Sequence, residues 1–150
     1  MSSQNLSITQ AGAVARITLT QPEIRNAFSD EVIAEITAAF VDVGSRADVR
    51  AVVLAAEGPA FCAGANLNWM RRMADYTRAE NLADAGALAE MLRTIHSCLK
   101  PTIARVQGDV FVSAWLGVKQ FNIGLHRCEE RKALSLGPAF VLQGLGGEAL

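Results

Sequence analysis

The most informative segment of the chain runs from Arg50 to Met70 and reads RAVVLAAEGPAFCAGANLNWM. Its first part, Ala51–Ala56, is a continuous apolar run about the length of a strand. Such a run is typical of a parallel strand that is buried on both faces of a sheet. Small residues follow, and the chain becomes amphipathic near Asn66. The pattern predicts a buried strand, a tight turn and a short helix over residues 66–74.

The residues before this stretch predict a hairpin followed by a helix. Residues 13–20, AVARITLT, alternate apolar and polar side chains, and the preceding LSIT pairs with them across a turn at Ala11-Gly12. The segment QPEIRN then predicts a loop, because proline cannot donate a hydrogen bond to a strand. Ser29 caps a helix that ends near Gly44.

The residues after it predict a long helix and another buried strand. Thr77 and Glu80 form a capping-box pattern, and Lys100-Pro101 ends the helix. The segment TIARVQG predicts a strand that ends at Gly108, and HRCEERKALSLGPAF, residues 126–140, is compatible with one helix. The apolar stripe that we expect the long helix to bury comprises Leu82, Ala85, Ala89, Leu92, Ile95 and Leu99.

Up to residue 108, the predicted order is strand, strand, helix, strand, helix, helix, strand. Helices between buried strands indicate an α/β fold, with right-handed crossovers between parallel strands. Functional sites in such folds lie at the carboxyl ends of the strands. The turn that follows Ala56 is therefore the first place to look for a site.

Composition excludes several classes of function. The 150 residues suffice for one domain, 51% of them are apolar, and the net charge is −1. No basic block is present, which argues against nucleic-acid and membrane partners. The cysteines, Cys62, Cys98 and Cys128, form neither a disulfide framework nor a metal motif. The sequence shows no signal peptide and no membrane-spanning run, so we expect a cytoplasmic protein. Without a metal motif, we expect no bound metal.

The turn Ala63-Gly64-Ala65 suits a reaction that develops negative charge on oxygen. Small side chains allow a ligand to approach the backbone, and N–H groups near the start of a helix have no partner within it. Such groups bind anions or stabilise an oxyanion. The alternative is that the residues are small only because a helix packs tightly on a strand. Spacing alone favours this alternative.

Three segments of the sequence favour the functional interpretation of this turn over the packing alternative. LTQPEIRNAFSDEV, RAVVLAAEGPAFCAGANLNWM and KPTIARVQGDVF occur in this order over about residues 5–111, and together they resemble the crotonase (enoyl-CoA hydratase/isomerase) superfamily. The amino-acid sequence of the second block is most similar to that of methylglutaconyl-CoA hydratase-like members. The resemblance implies a ClpP/crotonase fold with a ββα spiral core, truncated here. It also implies an acyl-CoA thioester as substrate without a further cofactor, a place in fatty acid metabolism or leucine degradation, and trimers or hexamers.

The resemblance assigns roles by position. It implies that the N–H of Ala65 is one of two oxyanion donors to the thioester carbonyl, with the second at Ser113. The carbonyls of Ala63 and Ala65 would hold the adenine of CoA. The implied CoA-binding residues are Arg25, Ala27, Ala63, Gly64, Ala65, Asn66 and Leu67.

The sequence departs from the family pattern at two places. Asn66 replaces the usual Asp, but it can still cap a helix. Val112-Ser113-Ala114 replaces a Gly-Gly-Gly turn, Leu116 stands where family members commonly have a catalytic Glu, and Glu129 and Glu130 belong to no family motif. No general acid or base is recognisable, so we expect weak or absent turnover.

The departures divide the chain into an N-terminal part of a crotonase-like domain, residues 1–111, and an atypical tail, residues 112–150. One hypothesis is that the tail is an out-of-frame translation, which the other reading frames of the coding DNA would test. Two alternatives to an enzyme follow: a non-catalytic CoA-binding module, and a truncated product without function.

Other residues have simpler interpretations. Cys62 is expected to be a small buried hydrophobic residue, and His96 a surface or packed residue rather than a metal ligand. Trp69 and Met70 either wall an acyl pocket or pack in the core, and the sequence favours neither.

Overall fold

The computed structural model describes residues 5–108, together with the backbone of two short strands, Leu134–Leu136 and Ala139–Gln143. The predictions for Ser113, Leu116 and the Glu129-Glu130 pair lie outside the described residues. A single helix over residues 126–140 is wrong, because both short strands overlap it. Gly137-Pro138 stands between the strands in the sequence, and this pair disfavours a continuous helix.

The elements over residues 5–108 occur in the predicted order. Four strands form: β1, Leu6–Ala11; β2, Val14–Leu19; β3, Ala51–Ala56; and β4, Thr102–Val106. Three helices form: α1, Asp30–Ser45; α2, Leu67–Met73; and α3, Arg78–His96. A short 3-10 turn, Pro22–Ile24, occupies the predicted loop.

The strands make one mixed sheet. With Leu134–Leu136 as β5 and Ala139–Gln143 as β6, the order across the sheet is β1-β2-β3-β4-β6-β5. The hairpin β1–β2 is antiparallel and places Ile8 opposite Ile17, whereas β2, β3, β4 and β6 run parallel. The predicted α/β class is confirmed. Because the carboxyl ends of parallel strands share one edge, the segments that follow β2, β3 and β4 meet there.

The core forms between the sheet and the helices. In β2, Ala15 and Ile17 are fully buried, and in β3 Val52 is fully buried. Helix α1 begins at its predicted cap, Ser29, and buries the predicted face. That face comprises Val32, Ile33, Ile36, Ala39, Phe40 and Val43.

The predicted stripe of α3 is wrong in part. Leu82 is 68% exposed and Leu99 is 94% exposed, whereas Met91, which the prediction omitted, is 1% exposed. The inward face instead follows Asp84, Leu88, Met91 and Ile95, with Leu92 and Ile95 partly buried as predicted. On this face the Trp69 indole N–H donates to Asp84 at 3.0 Å, so a charged residue lies on the packed side of α3.

Within the described part of the chain, none of the helices has the length and apolar character that crossing a membrane requires.

Candidate functional site

Two loops pair side by side where β2 and β3 end. The N–H of Ala63 donates to the carbonyl of Arg25 at 2.9 Å, and the N–H of Phe28 donates to the carbonyl of Gly64 at 2.7 Å. The N–H of Asn66 then donates to the carbonyl of Phe28 at 2.7 Å. These bonds make a short parallel bridge between Phe28 and Ala65. The bridge joins the loop of residues 25–28 to the turn of small residues, and the two segments lie far apart in the sequence.

Both segments of the bridge contain left-handed backbone. Arg25 and Asn26 have φ of 53° and 52°, and Gly64 has φ of 98°. Residues with a side chain rarely adopt a φ as large as that of Gly64, which explains why the turn has glycine there. Glycine therefore accounts for the backbone path at residue 64, whereas Arg25 and Asn26 adopt left-handed backbone although they carry side chains.

Ala65 presents its polar backbone atoms away from the bridge. Phe28 bonds the residues on either side of Ala65, so the N–H and carbonyl of Ala65 point to the opposite side of its segment. Among the residues that the structure describes, none accepts a hydrogen bond from this N–H. Ala65 also lines an open groove. The groove thus contains a backbone donor without a partner in the described part of the chain.

The groove lies between the two loops and the start of α2, and it has a volume of about 500 Å³. Its charged side chains are Arg25, Arg71 and Glu23. It is lined by Glu23, Ile24, Arg25, Ala27, Ala63, Ala65, Asn66, Leu67, Asn68 and Arg71.

All the predicted CoA-binding positions meet at this groove. Six of the seven line it, and the seventh, Gly64, is buried beneath the surface and supports the bridge. Sequence reasoning missed Arg71. A signal was available, because Arg71 follows Leu67 by four residues on α2 and helical spacing places both on one face.

The start of α2 is capped as predicted. The side-chain oxygen of Asn66 accepts from the N–H groups of Asn68 at 2.9 Å and Trp69 at 3.3 Å. Trp69 is 6% exposed and belongs to the core, whereas Met70 is 51% exposed. Neither lines the groove, so for Trp69 the core alternative is the one observed.

Cys62 is a packed residue. It is fully buried, and its sulfur lies 3.4 Å from the N–H of Gly64. Burial raises the pKa of the Cys62 thiol, although hydrogen bonds from the Gly64 and Phe28 backbone oppose the shift. The thiol is therefore protonated at neutral pH and unsuited to nucleophilic attack. His96 is exposed, and the described residues contain no group of three or more His, Cys, Asp and Glu that could hold a metal ion.

The enoyl-CoA hydratase/isomerase family model matches residues 9–114. The chain belongs to this family. The resemblance stated from the three sequence blocks is thereby confirmed, and the groove described above belongs to the N-terminal segment of a crotonase-superfamily protein.

Solved structures of the family share the fold of this enoyl-CoA hydratase/isomerase family member. An enoyl-CoA hydratase from Shewanella pealeana is 37% identical, with a TM-score of 0.73, over 75% of this chain and 42% of that chain. An enoyl-CoA hydratase from Mycobacterium smegmatis is 35% identical, with a TM-score of 0.63, over 68% of this chain and 39% of that chain. The crotonase fold is confirmed.

A curated relative from Thermus thermophilus, assigned by name to the enoyl-CoA hydratases, is 35% identical over 99 residues. The match covers 66% of this chain and 39% of that protein. The chain thus spans about two fifths of the length of the relative that it matches.

Proposed function

We propose that this chain binds an acyl-CoA thioester in the groove and polarises its carbonyl, in the manner of the enoyl-CoA hydratase/isomerase class. The observation that carries the proposal is the N–H of Ala65, which has no acceptor among the described residues and lies on the groove wall. A donor fixed by a rigid backbone stabilises developing negative charge without rearranging during the reaction.

The chemistry follows from that donor. When the carbonyl oxygen of an α,β-unsaturated thioester accepts the N–H, electron density moves from the double bond toward the oxygen. Water then forms a bond to the β-carbon, and the π electrons form an enolate whose oxygen carries the charge. Loss of a proton from the added water and protonation of the α-carbon complete the hydration. One well-aimed donor is typically worth about 3 kcal/mol in such a transition state.

The rest of the groove suits the CoA portion of the substrate. Arg25 and Arg71 offer guanidinium groups, which bind phosphate oxygens through paired hydrogen bonds. The carbonyls of Ala63 and Ala65 accept no hydrogen bond from the described residues, so they are available to an amino group such as that of adenine. These features support binding independently of turnover.

A non-catalytic CoA-binding module is the second candidate. It is favoured by Leu116, an apolar residue at the position where family members commonly have a catalytic Glu. A protein with the Ala65 donor but without a general acid or base would bind the thioester and fail to hydrate it.

The experiment compares the whole chain with Ala65→Pro and Ala65→Gly. Proline removes the N–H, whereas glycine keeps it, and neither change deletes a hydrogen bond seen among the described residues. Calorimetry would measure binding of CoA and of a short enoyl-CoA. Loss of the ultraviolet absorbance of the conjugated thioester would measure hydration.

We expect both ligands to bind the wild-type chain, and Ala65→Pro to weaken binding of the thioester more than that of CoA. If hydration occurs, Ala65→Pro should lower kcat about 10²–10³-fold, whereas Ala65→Gly retains it. Binding without hydration favours the module. The proposal is contradicted if the wild-type chain binds neither ligand. It is also contradicted if a folded Ala65→Pro variant keeps the wild-type affinity for the thioester and the wild-type hydration rate.

A further inference from the structure

The side chain of Asn26 is buried and fully engaged. The residue is 2% exposed, and its Oδ1 accepts from the N–H of Gln21 at 3.0 Å. Its Nδ2 donates to the carbonyl of Glu57 at 2.9 Å and to that of Ala60 at 3.0 Å. A carboxamide with one acceptor and two donors used in this way holds three points of the backbone at once.

Those three points belong to the segments that build the groove. Gln21 follows β2, whereas Glu57 and Ala60 follow β3 and lead directly into the small-residue turn. The backbone N–H of Asn26 also donates to the carbonyl of Gln21 at 2.9 Å. Asn26 therefore stabilises its own loop through Gln21. Through Glu57 and Ala60, it also connects this loop to the segment that leads into the turn containing Ala65.

The backbone at Asn26 makes the residue type specific. Its φ of 52° follows the φ of 53° at Arg25, and two consecutive left-handed residues bearing side chains are unfavourable unless neighbouring contacts hold them. Asn tolerates this conformation better than most residues, and its side-chain bonds hold it here. Only Ala27 separates the left-handed pair from Phe28, whose backbone bonds to both neighbours of Ala65.

We propose that Asn26 is a positioning residue for the oxyanion donor, because its carboxamide sets the relative placement of the Phe28 and Ala65 segments. The inference rests on the proposed function of the Ala65 N–H. Asn26 itself does not line the groove, so its effect on a ligand is transmitted through the bridge between Phe28 and Ala65. Small displacements of a positioned donor have large effects on binding and rate.

The test uses Asn26→Gly in the whole chain. Glycine adopts the left-handed backbone freely, so this variant deletes the three side-chain bonds without adding strain. The stability control is Val43→Ala, a buried residue of α1 that does not line the groove. Amide hydrogen exchange measures local opening of the backbone in the ligand-free protein. Calorimetry measures the affinity of the groove for a saturated acyl-CoA.

The reference is the Val52 amide, which donates to the carbonyl of Pro101 in the sheet region. In Asn26→Gly, we expect the exchange rates of the Phe28 and Asn66 amides to rise at least about tenfold relative to that of Val52. Affinity for the acyl-CoA should fall about tenfold, the loss expected for one misaligned hydrogen bond. Val43→Ala should accelerate exchange evenly and change affinity less than about twofold.

The inference is overturned if Asn26→Gly accelerates all amides evenly, as Val43→Ala does, or if it keeps wild-type affinity. If the wild-type chain binds no acyl-CoA, the proposed function fails, whereas local exchange still shows whether Asn26 sets the bridge. Should Asn26→Gly not fold, Asn26→Asp retains the acceptor for Gln21 and undergoes the same comparison. If neither variant folds, Asn26 serves folding as a whole, which also overturns the inference.

Discussion

Gly64 determines what the residues around it can do. Its φ of 98° turns the backbone so that its own carbonyl accepts from Phe28 while the next residue, Ala65, faces the groove. Both the family resemblance and the small side chains pointed to this turn. The direction of the Ala65 N–H could not be read from the sequence, because it depends on a partner segment nearly forty residues earlier.

Replacing Gly64 by alanine should destabilise the fold by about 1–3 kcal/mol, since alanine is strained at this φ. The matched control is Gly86→Ala in α3, where an added Cβ meets nothing within 4 Å. That control should stabilise by about 0.5–1 kcal/mol, because alanine has the higher helix propensity. Urea denaturation measures the free energy of unfolding of both variants. If Gly64→Ala is as stable as Gly86→Ala, the backbone at residue 64 does not require glycine.

Asn26 and Arg71 show two different limits of sequence reasoning at the residue scale. The loop containing Asn26 was predicted, but its three buried bonds join segments whose proximity exists only in the fold. Arg71 was overlooked although its helical spacing from Leu67 was visible. The contacts of Asn26 depend on tertiary structure, whereas the position of Arg71 follows from helical spacing alone.

The helices show where local patterns suffice. The capping box of α3 forms as predicted: the Thr77 N–H donates to the Glu80 carboxylate at 2.7 Å, and the Glu80 N–H donates to the Thr77 hydroxyl at 3.3 Å. The buried face of the same helix was predicted poorly because it contains Asp84, which an apolar stripe excludes. Caps depend on adjacent residues, whereas the packed face depends on Trp69 of another helix.

Thr77→Ala should lower stability by about 1 kcal/mol, because an N-terminal N–H of α3 loses its acceptor. Thr77→Ser keeps the hydroxyl and is the control. Urea denaturation at several pH values measures both variants against the wild type.

The effect of Thr77→Ala should also depend on pH. Hydrogen bonds from the Thr77 hydroxyl and N–H hold the pKa of Glu80 below its ordinary value. A carboxyl with a lowered pKa in the folded state stabilises the fold above its unfolded pKa, and this contribution disappears as pH falls through the folded pKa. The gap between wild type and Thr77→Ala should therefore narrow in acid. A gap that widens in acid would contradict this account of the cap.

At the scale of the whole molecule, the parallel sheet brings the site together. Because β2 and β3 run parallel and adjacent, the loops after Leu19 and Ala56 emerge at one edge, where Asn26 and the Phe28–Ala65 bridge join them. The α/β class and the sheet edge at which these two loops meet followed from strand patterns alone. The groove itself did not, since its walls come from the two loops and a helix.

NMR of the Ala65 amide shows whether Ala65 donates its N–H to the carbonyl of a CoA thioester. The 15N-labelled chain would be titrated separately with CoA and with a saturated acyl-CoA, which differ by the thioester carbonyl and its acyl chain. We predict that acyl-CoA moves the Ala65 amide proton downfield and that CoA does not, while both ligands shift amides elsewhere along the groove. If acyl-CoA binds but gives the Ala65 amide proton the same chemical shift as CoA does, Ala65 is not the donor to the thioester carbonyl.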